Sequence, residues 1–478
     1  MVKYIEKIRR YDLLISVILS IIYLYSALSP VRPFGIWPGL LLGVSFIAFF
    51  YFLRKAIAKR FVLLSALDIK HILLLGFIIR ILWVVVSGNT LDSDFHRYDA
   101  LSRNILAGNY LFDPEIPQGT SMITAFFYWV FGVNRYAALL PVVFASVAII
   151  YFVYAVARNI FGDITARIAA LLCCLCPEQI IYTNLITSDI YFAFFVLAAF
   201  WSLLASPSRY VVLNLFIAGA FLGISQYVRS TSIIFLFCVT VYIFFYCKNN
   251  GLTHTIRSIF ILIVTYIVIL TPLMLLNYSR FRELTINSSR VFGWSFFLST
   301  NPVYSGRFNA EDVNIWKERV KMSKRLPQEP HSVFKYRIAR EMGIERLKEY
   351  PWRFITNCVK KPYMFLNDPA NFKWSLNGIR SNWLVFVIFA IGLLYHRVLL
   401  VLSGIALFMN IKNHPDEKIR GFLFLTGCTI LLVTLSHFFV EIQTRYHYAL
   451  MPYIIIMAAT YFTKTTRADV GQPITNHS

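Results

Sequence analysis

Residues 90–110 read TLDSDFHRYDALSRNILAGNY and directly follow the apolar run HILLLGFIIRILWVVVSG at residues 71–88. Three aspartates, one histidine and two arginines thus lie at the end of a segment that is long enough to cross a bilayer. Charges inside the hydrocarbon layer are expensive, whereas charges at the interface are cheap. The cluster is therefore placed at a membrane surface, where it either caps a following helix or forms a functional site.

Composition indicates the solvent in which this chain folds. Of its 478 residues, 58% are hydrophobic and only 15% are charged, whereas soluble domains average about 25% charged residues. Apolar windows of the roughly 17 to 25 residues that cross a bilayer recur along the chain. We therefore predict an all-α polytopic membrane protein with about twelve transmembrane helices. The windows are 12–28, 34–53, 71–87, 138–157, 165–182, 188–206, 210–228, 232–247, 256–276, 383–408, 421–439 and 446–463.

Two of these windows are ambiguous. Pro177 interrupts the window at 165–182, and the apolar stretch at 383–411 fits either one long tilted helix or two short ones. Proline removes a backbone donor and breaks a helix interior, so the first window could be a bent span. The count of twelve depends on how these two windows are counted.

The distribution of lysine and arginine predicts the orientation. Short loops rich in these residues stay in the cytoplasm, whereas loops longer than about 60 residues translocate largely regardless of charge. With twelve spans, the cluster at residues 90–110 lies outside. The predicted regions are an uncleaved N-terminal transmembrane hairpin at 1–60, a membrane core at 61–276 with a first external loop at 88–135, an extracytoplasmic segment at 277–382, and C-terminal transmembrane helices with a cytoplasmic tail at 383–478.

The formal net charge of +22 does not indicate nucleic-acid binding, because the basic residues are interleaved with the spans. Topology accounts for the cytoplasmic share of the charge. The external share either solvates an extracytoplasmic domain or faces anionic lipid phosphates. The seven cysteines give no disulfide framework, because six lie in or at the ends of predicted spans. The expected partner is therefore the lipid bilayer.

The first external loop contains two helical patterns. In FHRYDALSRNIL, Phe95, Tyr98, Leu101 and Ile105 recur at spacings of three and four, which predicts an amphipathic helix lying on the membrane surface. SMITAFFYWVFG at residues 121–132 predicts a second apolar helix that is too short to span a bilayer. The loop is therefore expected to add helices to the outer surface.

Five stretches follow one another in the order seen in a known family. SDFHRYDALSRNIL is followed by PQGTSMITAFFYWVFG, then by CPEQIIYTNLITSDIYFAFFVLAAFWSLL, GAFLGISQYVRSTSIIF and EIQTRYHYALMPYIIIMAA. In serial order they resemble the membrane glycosyltransferases of the GT-C fold, closest to the bacterial branch related to protein O-mannosyltransferases and lipid A aminoarabinose transferases. Asp94 and Tyr98 fall on family positions, whereas Phe95 stands where the family commonly has glutamate. The resemblance covers about residues 70–465.

This resemblance implies an inverting glycosyltransferase that takes a sugar from a polyprenyl phosphate carrier. The acceptor hydroxyl, on a glycan, a lipid or a protein, loses its proton as it attacks the anomeric carbon, and one carboxylate can take that proton. The leaving phosphate needs cations at the interface. The reaction is expected at the outer face of a bacterial inner membrane, in the biosynthesis of cell-surface glycan or lipopolysaccharide.

The resemblance also suggests roles for individual residues. Asp94 is the expected base, with Asp92 as the fallback. Arg445, Arg229 and Arg307 are the expected ligands of the donor phosphate, because arginine can hold phosphate oxygens bidentately; the alternative is that each is an interfacial residue that snorkels.

A second group of candidates would bind substrate. It consists of Tyr98, Glu178, Asp189, Glu441 and His447. Two alternatives stay open at this stage: Asp189 or Glu178 could hold Arg229 in place, and Glu441 could pair with Arg445, four residues on, if both lie on one helix.

No cofactor is required by these motifs, although Asp92, Asp94 and His96 alternate in a way that a divalent cation could use. Two other classes of function remain open. A polysaccharide transporter or flippase would be expected to show repeats or charged residues in mid-membrane. An O-antigen type polymerase or ligase would depend on arginine and histidine in the long external loop.

Overall fold

The computed structural model describes Ile18 and residues 67–109, 115–204, 211–246, 251–304, 306–327, 329–366, 372–411 and 416–469. Apart from Ile18, the hairpin predicted at residues 1–60 lies outside the described residues. Within the described ranges the chain is helical and contains no strand. The prediction of an all-α protein is therefore confirmed.

The helices are numbered here along the described chain. They are α1 (Ile69–Val86), α2 (Ser93–Leu106), α3 (Gly119–Phe131), α4 (Arg135–Phe161), α5 (Asp163–Leu175), α6 (Pro177–Ile181), α7 (Ser188–Leu204), α8 (Val211–Val228), α9 (Ser232–Tyr246), α10 (Leu252–Phe281), α11 (Phe292–Ser299), α12 (Ala310–Met322), α13 (His331–Glu349), α14 (Pro351–Leu366), α15 (Phe372–Ser375), α16 (Asn382–Ile411), α17 (Glu417–Ser436) and α18 (Met451–Asp469), with short 3₁₀ helices at Tyr182–Asn184 and Thr444–Leu450.

Five described helices are long and apolar enough to cross a membrane, namely α1, α4, α10, α16 and α17. A sixth span is possible where α5 continues into Pro177–Asn184, because that pair satisfies the same criteria but bends by 54°. Helices α3, α7, α8 and α9 are apolar but shorter. The chain is thus a polytopic membrane protein, while the count of twelve spans remains a prediction.

The two ambiguous windows now have a structural answer. Pro177 occupies the first turn of α6, where a proline is tolerated because the N–H there is unpaired in any case. The chain therefore turns at Cys176 instead of continuing one straight helix. The stretch at 383–411, in contrast, is the single 30-residue helix α16.

The packed centre of the protein is formed by α4, α5, α7 and α18. Helix α4 packs against both α5 and α7, and α18 packs against α5 and α16. Small side chains such as Ala157, Ala166 and Ala169 are fully buried in these contacts. Small residues let helix backbones approach closely, which is how helices associate in lipid.

An arginine lies inside this apolar centre. Arg80 of α1 is fully buried and donates through Nε to Ser146 Oγ (2.7 Å) and through Nη1 to the carbonyl oxygens of Gly76 (3.1 Å) and Cys174 (3.3 Å). A buried guanidinium is tolerated when its donors are satisfied. Arg80 therefore joins α1 to α4 and α5 by polar contacts.

Helix α2 packs on the protein with the apolar face that the sequence predicted. Phe95, Tyr98 and Leu101 are buried, and the Phe95 ring meets those of Tyr182 (6.4 Å) and Trp374 (6.3 Å). The apolar face of α2 is therefore covered by the protein itself, while the position of this helix at the membrane surface remains a prediction. Helix α3 instead exposes large apolar side chains, with Trp129 72% accessible.

The segment at 277–382, which the sequence predicts to be extracytoplasmic, has a small core of its own, built from α11, α12 and α13 around Phe297 and Phe334. Lys361 of α14 connects this layer to the spans. It is fully buried, and its ammonium group donates to the carbonyl oxygens of Ser299 (3.3 Å) and Phe438 (2.7 Å). Burial lowers the pKa of Lys361 to about 8.

Replacing Arg80 by alanine should destabilise the fold. The change removes the hydrogen bonds from the guanidinium group to buried acceptors. A hydrogen bond with a charged donor is worth about 1.5 to 3 kcal/mol. We expect a clearly lower thermal unfolding midpoint for the detergent-solubilised Arg80→Ala protein. Arg103→Ala is the control, because Arg103 is 52% exposed and pairs with Asp99 at the surface. Equal midpoints for the two variants would contradict the structural role of Arg80.

The titration of Lys361 should appear in the stability of the protein at alkaline pH. Its pKa is about 8 in the folded state and about 10.4 in an unfolded chain. Between these values the unfolded state binds more protons, so the free energy of unfolding rises with pH, by about 3 kcal/mol at most.

The test compares the parent with Lys361→Met, in which this titration is absent. We expect the parent's unfolding midpoint to rise relative to that of the variant as the pH passes from about 8 to about 10. Two curves that stay parallel over this range would show that Lys361 does not titrate there.

Candidate active site

The two residues that the sequence analysis singled out as base and phosphate ligand form an ion pair. Asp94 lies in the first turn of α2, and Arg445 lies in the 3₁₀ helix Thr444–Leu450. Arg445 Nη2 donates to Asp94 Oδ2 at 2.7 Å. The Asp94 side chain is 32% exposed and that of Arg445 is 12% exposed. The pair therefore lies at the boundary between the packed protein and the solvent.

A second ion pair lies beside the first. Arg229, just beyond the end of α8, pairs with Asp189 in the first turn of α7. The other oxygen of Asp189 accepts from Thr187 Oγ1 at 2.9 Å. Asp189 thus holds Arg229 in place, which was one of the two roles considered for it.

Tyr446 connects the two cations. The Arg229 guanidinium lies 4.7 Å from the centre of the Tyr446 ring, and the Arg445 guanidinium lies 5.6 Å from it. Arg445 also approaches the ring of Phe95, at 5.8 Å. Cation–π contacts of this kind orient a guanidinium while leaving some of its N–H groups available. Sequence analysis did not select Tyr446, although it follows Arg445 directly.

Tyr98 lies one turn after Asp94 on α2 and is buried. Burial is the main cause that raises the pKa of Tyr98 to about 12, and the negative charge of Asp94 adds to it. Its hydroxyl therefore keeps its proton at neutral pH and can serve as a hydrogen-bond donor.

Asp92 is the residue immediately before α2 and its side chain is exposed. Its Oδ1 accepts from the backbone N–H of Ser93 at 2.6 Å. This is a capping contact at the start of a helix. Asp92 therefore has a structural task that Asp94 does not share.

Glu441 is close to the ion pair but does not bond as the sequence analysis considered. Residues 441–443 are extended and not helical, so the spacing of four that would bring Glu441 to Arg445 on one helix does not arise. Glu441 instead accepts from Gln443 Nε2 at 2.5 Å. Burial raises the pKa of Glu441, against the opposing effect of the Arg445 charge.

Glu178 and His447 lie deeper in the protein, together with a third residue. His447 Nε2 is 3.0 Å from Glu178 Oε1, and His396 Nδ1 is 3.3 Å from Glu178 Oε2. All three side chains are almost completely buried. Sequence analysis missed His396, although an imidazole in the middle of an apolar span is itself a signal of a polar partner.

The remaining candidates are outside this group of contacts, although Gly306, the neighbour of Arg307, accepts from the backbone N–H of Ile442 at 2.9 Å. Arg307 is exposed, and no recorded contact joins its side chain to the described site residues. His96 is exposed, whereas His437 is buried against the ring of Phe365 at 4.7 Å. The structure therefore brings Asp94, Arg445, Arg229 and Asp189 together, and leaves Arg307 outside this group.

A cavity of about 710 Å³ lies next to the segments that carry the Asp94–Arg445 pair, although neither of these two residues lines it. Asp92 and Thr444, each close in sequence to a member of the pair, line it together with Lys373 of α15. Apolar side chains on the first turns of the span α16, including Phe386 and Phe389, line it as well. A lining of both polar and apolar groups suits a ligand that carries both a charged group and a hydrocarbon chain.

Arg445 has bonding capacity left for such a ligand. Its Nε is buried and has no hydrogen-bond partner among the described residues. A buried donor without a partner calls for a ligand or a water molecule. A carboxylate, two guanidinium groups and an adjoining cavity can together accept a proton and stabilise an anion.

Comparison with known proteins adds a family relationship. Residues 116–275 match the family described as dolichyl-phosphate-mannose-protein mannosyltransferase. No curated protein gives a significant match. The matched segment contains Glu178, Asp189 and Arg229, while Asp94 and Arg445 flank it on either side.

Solved structures similar to this chain include the oligosaccharyltransferase of Archaeoglobus fulgidus, at 12% identity and a TM-score of 0.47, covering 84% of this chain and 49% of that one. The chain thus spans about half the length of that enzyme. ArnT from Cupriavidus metallidurans, bound to undecaprenyl phosphate, is 15% identical with a TM-score of 0.39, covering 82% of this chain and 77% of that one. The resemblance expected from the sequence motifs is thus confirmed over residues 116–275, where the chain matches the dolichyl-phosphate-mannose-protein mannosyltransferase family.

Proposed function

We propose that this protein is an inverting glycosyltransferase that moves a sugar from a polyprenyl phosphate carrier to an acceptor hydroxyl. The proposed site is the ion pair of Asp94 and Arg445 with the adjoining cavity. The observation that carries the proposal is that a carboxylate and a guanidinium from distant parts of the chain meet at 2.7 Å, close in sequence to Asp92 and Thr444, which line this cavity. The family match over residues 116–275 supports the same reaction class.

The proposed chemistry uses each group once. The acceptor oxygen attacks the anomeric carbon, and its proton passes to the Asp94 carboxylate. The bond between that carbon and the phosphate oxygen breaks, and the electron pair leaves with the lipid phosphate. Arg445 stabilises the charge that develops on the phosphate, and Arg229 adds a second positive charge behind Tyr446.

The cavity supports a lipid-linked donor. Its polar lining, with Lys373, would face the phosphate and the sugar, and its apolar side chains on α16 would face the start of the polyprenyl chain. We place the reaction at the outer face of a bacterial inner membrane, which follows from the predicted topology. The acceptor would be a glycan, a lipid or a protein, in cell-surface glycan biosynthesis.

The two other functions considered have less support in the described residues. Charge in mid-membrane, expected of a transporter, is present at Arg80, but serine and carbonyl oxygens satisfy this arginine inside the helix packing. An O-antigen type polymerase or ligase would need arginines of the segment at 277–382 as catalytic residues. Two arginines there are engaged in ion pairs within the segment, Arg337 with Glu329 and Arg346 with Asp312.

Asp94→Asn should abolish most of the transfer activity, because an amide cannot accept the acceptor's proton. The assay uses the full chain in lipid nanodiscs with a panel of polyprenyl phosphate sugars. We expect turnover to fall by about 10²- to 10⁴-fold, with the donor's Michaelis constant much less affected. Asp92→Asn is the matched control, because asparagine caps a helix as well as aspartate and should keep nearly full activity. The reverse pattern would move the base to Asp92.

Arg445→Lys should reduce turnover although it keeps the positive charge. Lysine is a point charge and does not reproduce the planar fork that holds Asp94 and a phosphate together. The expected loss is about tenfold to a hundredfold in kcat/KM for the lipid donor, comparable with one charged hydrogen bond. Arg307→Lys is the control, because Arg307 is exposed, and should behave like the parent. Equal activities of parent and Arg445→Lys would argue against a phosphate contact at Arg445.

A further inference from the structure

The cluster of Glu178, His396 and His447 lies behind the candidate active site and has no task in the proposed transfer reaction. Its three members come from α6, α16 and the 3₁₀ helix Thr444–Leu450. One nitrogen of each histidine and one carboxylate oxygen lie within 4.8 Å of one another. The side chains are between 0% and 1% exposed. A carboxyl group and two imidazoles are thus enclosed by apolar surroundings.

The backbone fixes which ring nitrogen of each histidine carries a proton. His447 Nδ1 is 2.8 Å from the carbonyl oxygen of Phe365, and His396 Nε2 is 2.8 Å from that of Leu366. A carbonyl oxygen only accepts hydrogen bonds, so both of these nitrogens must be N–H donors. In the neutral imidazole the other nitrogen then has a lone pair. These lone pairs, at His447 Nε2 and His396 Nδ1, point to the oxygens of Glu178.

Lone pairs that face a carboxylate repel it unless a proton or a metal ion lies between them. Protons resolve the conflict when Glu178 is protonated and donates to one imidazole, or when the imidazoles take up additional protons, which places positive charge in a buried site. One metal ion that accepts all three lone pairs resolves it as well. Histidine ligands of metals commonly donate their second nitrogen to a backbone carbonyl, which holds the ring in place. Both histidines have this arrangement.

The distances agree with a zinc site. Zinc with ligands at about 2.0 to 2.2 Å in tetrahedral geometry separates neighbouring ligand atoms by about 3.3 to 3.6 Å. The shortest separations are 3.0 Å from Glu178 Oε1 to His447 and 3.3 Å from Glu178 Oε2 to His396, and one ligand atom from each residue lies within 4.8 Å of the other two. Small movements of these side chains would bring one oxygen and two nitrogens to the spacing that zinc requires. Two histidines and a glutamate form a known zinc ligand set that leaves a fourth position open.

We propose that Glu178, His396 and His447 bind one divalent transition-metal ion of the Zn²⁺ class, and that this ion fastens the segment carrying Arg445. The metal would join α6, α16 and the 3₁₀ helix Thr444–Leu450, and the carbonyl groups at the end of α14 would support it. His447 is two residues from Arg445, so the position of the guanidinium depends on this anchor. The proposal differs from the cation considered at Asp92, Asp94 and His96, and it does not depend on the transfer reaction.

The test measures metal directly. The full chain in nanodiscs is stripped with a chelator, reloaded with ZnCl₂, freed of excess by gel filtration and analysed by mass spectrometry for zinc per chain. We expect one zinc ion per parent chain and a visible absorption band after reloading with Co²⁺ instead. Glu178→Gln and His396→Ala should lower metal affinity by more than the about 10- to 100-fold that changes to outer-shell residues cause.

Two features keep the result interpretable. Glu178→Gln keeps the shape of the side chain, and its amide can donate to one of the lone pairs, so this variant should elute and unfold like metal-free parent. His437→Ala is the matched control, because His437 is a buried histidine outside the cluster and should keep the metal. Zinc should raise the unfolding midpoint of the parent and of His437→Ala, but not that of Glu178→Gln.

Either of two results would overturn the proposal. Reloaded parent that elutes normally but holds no more zinc than Glu178→Gln would assign the cluster to protons in place of metal. Zinc that binds parent and Glu178→Gln equally would have to be held elsewhere on the chain. In both cases the transfer assay remains a separate test of Asp94 and Arg445.

Discussion

The ion pair between Asp94 and Arg445 is the contact around which the candidate site is arranged. It joins two residues that are 351 positions apart in the chain, one at the start of α2 and one just before α18. Phe95 packs beside it against Tyr182, and Tyr182 stacks on Tyr448 at 5.5 Å. The loop that carries α2 and the segment before α18 are therefore joined by an ion pair and, beside it, by contacts between aromatic rings.

The two ion pairs of the site are built for different tasks. Asp189 is 2% exposed and has partners on both oxygens, Arg229 and Thr187, so breaking this pair would leave a buried charge uncompensated at a cost of several kcal/mol. Asp94 is 32% exposed and, among the described residues, has a recorded hydrogen bond on Oδ2 alone. The Asp189–Arg229 pair is suited to fix a cation, and the Asp94–Arg445 pair is suited to exchange partners when an anion enters.

Hydropathy predicted the helices because it is a local property: every predicted span within the described residues falls on a helix. Contacts between residues that are distant in sequence depend on how the helices pack, and hydropathy does not report this packing. The motifs pointed to Asp94 and Arg445 separately, and the fold supplied their contact. The spacing from Glu441 to Arg445 assumed a helix that the structure lacks. His396 was missed because a hydropathy average hides one imidazole in an apolar window. An imidazole is costly to bury among apolar side chains, so its presence there implies a polar partner.

The 3₁₀ helix Thr444–Leu450 shows how one short element can serve both an outer site and an inner anchor. With three residues per turn, Arg445 and His447 differ in direction by about 120°, so one reaches Asp94 while the other turns inward to Glu178. A longer α-helix at this position would present these side chains with a different angle and rise. The tight turn is stabilised from inside by His447 and by Tyr448, whose hydroxyl donates to Gln179 Oε1 at 2.8 Å. Because these inner contacts hold the backbone, Arg445 can change partner at the surface without moving the segment that carries it.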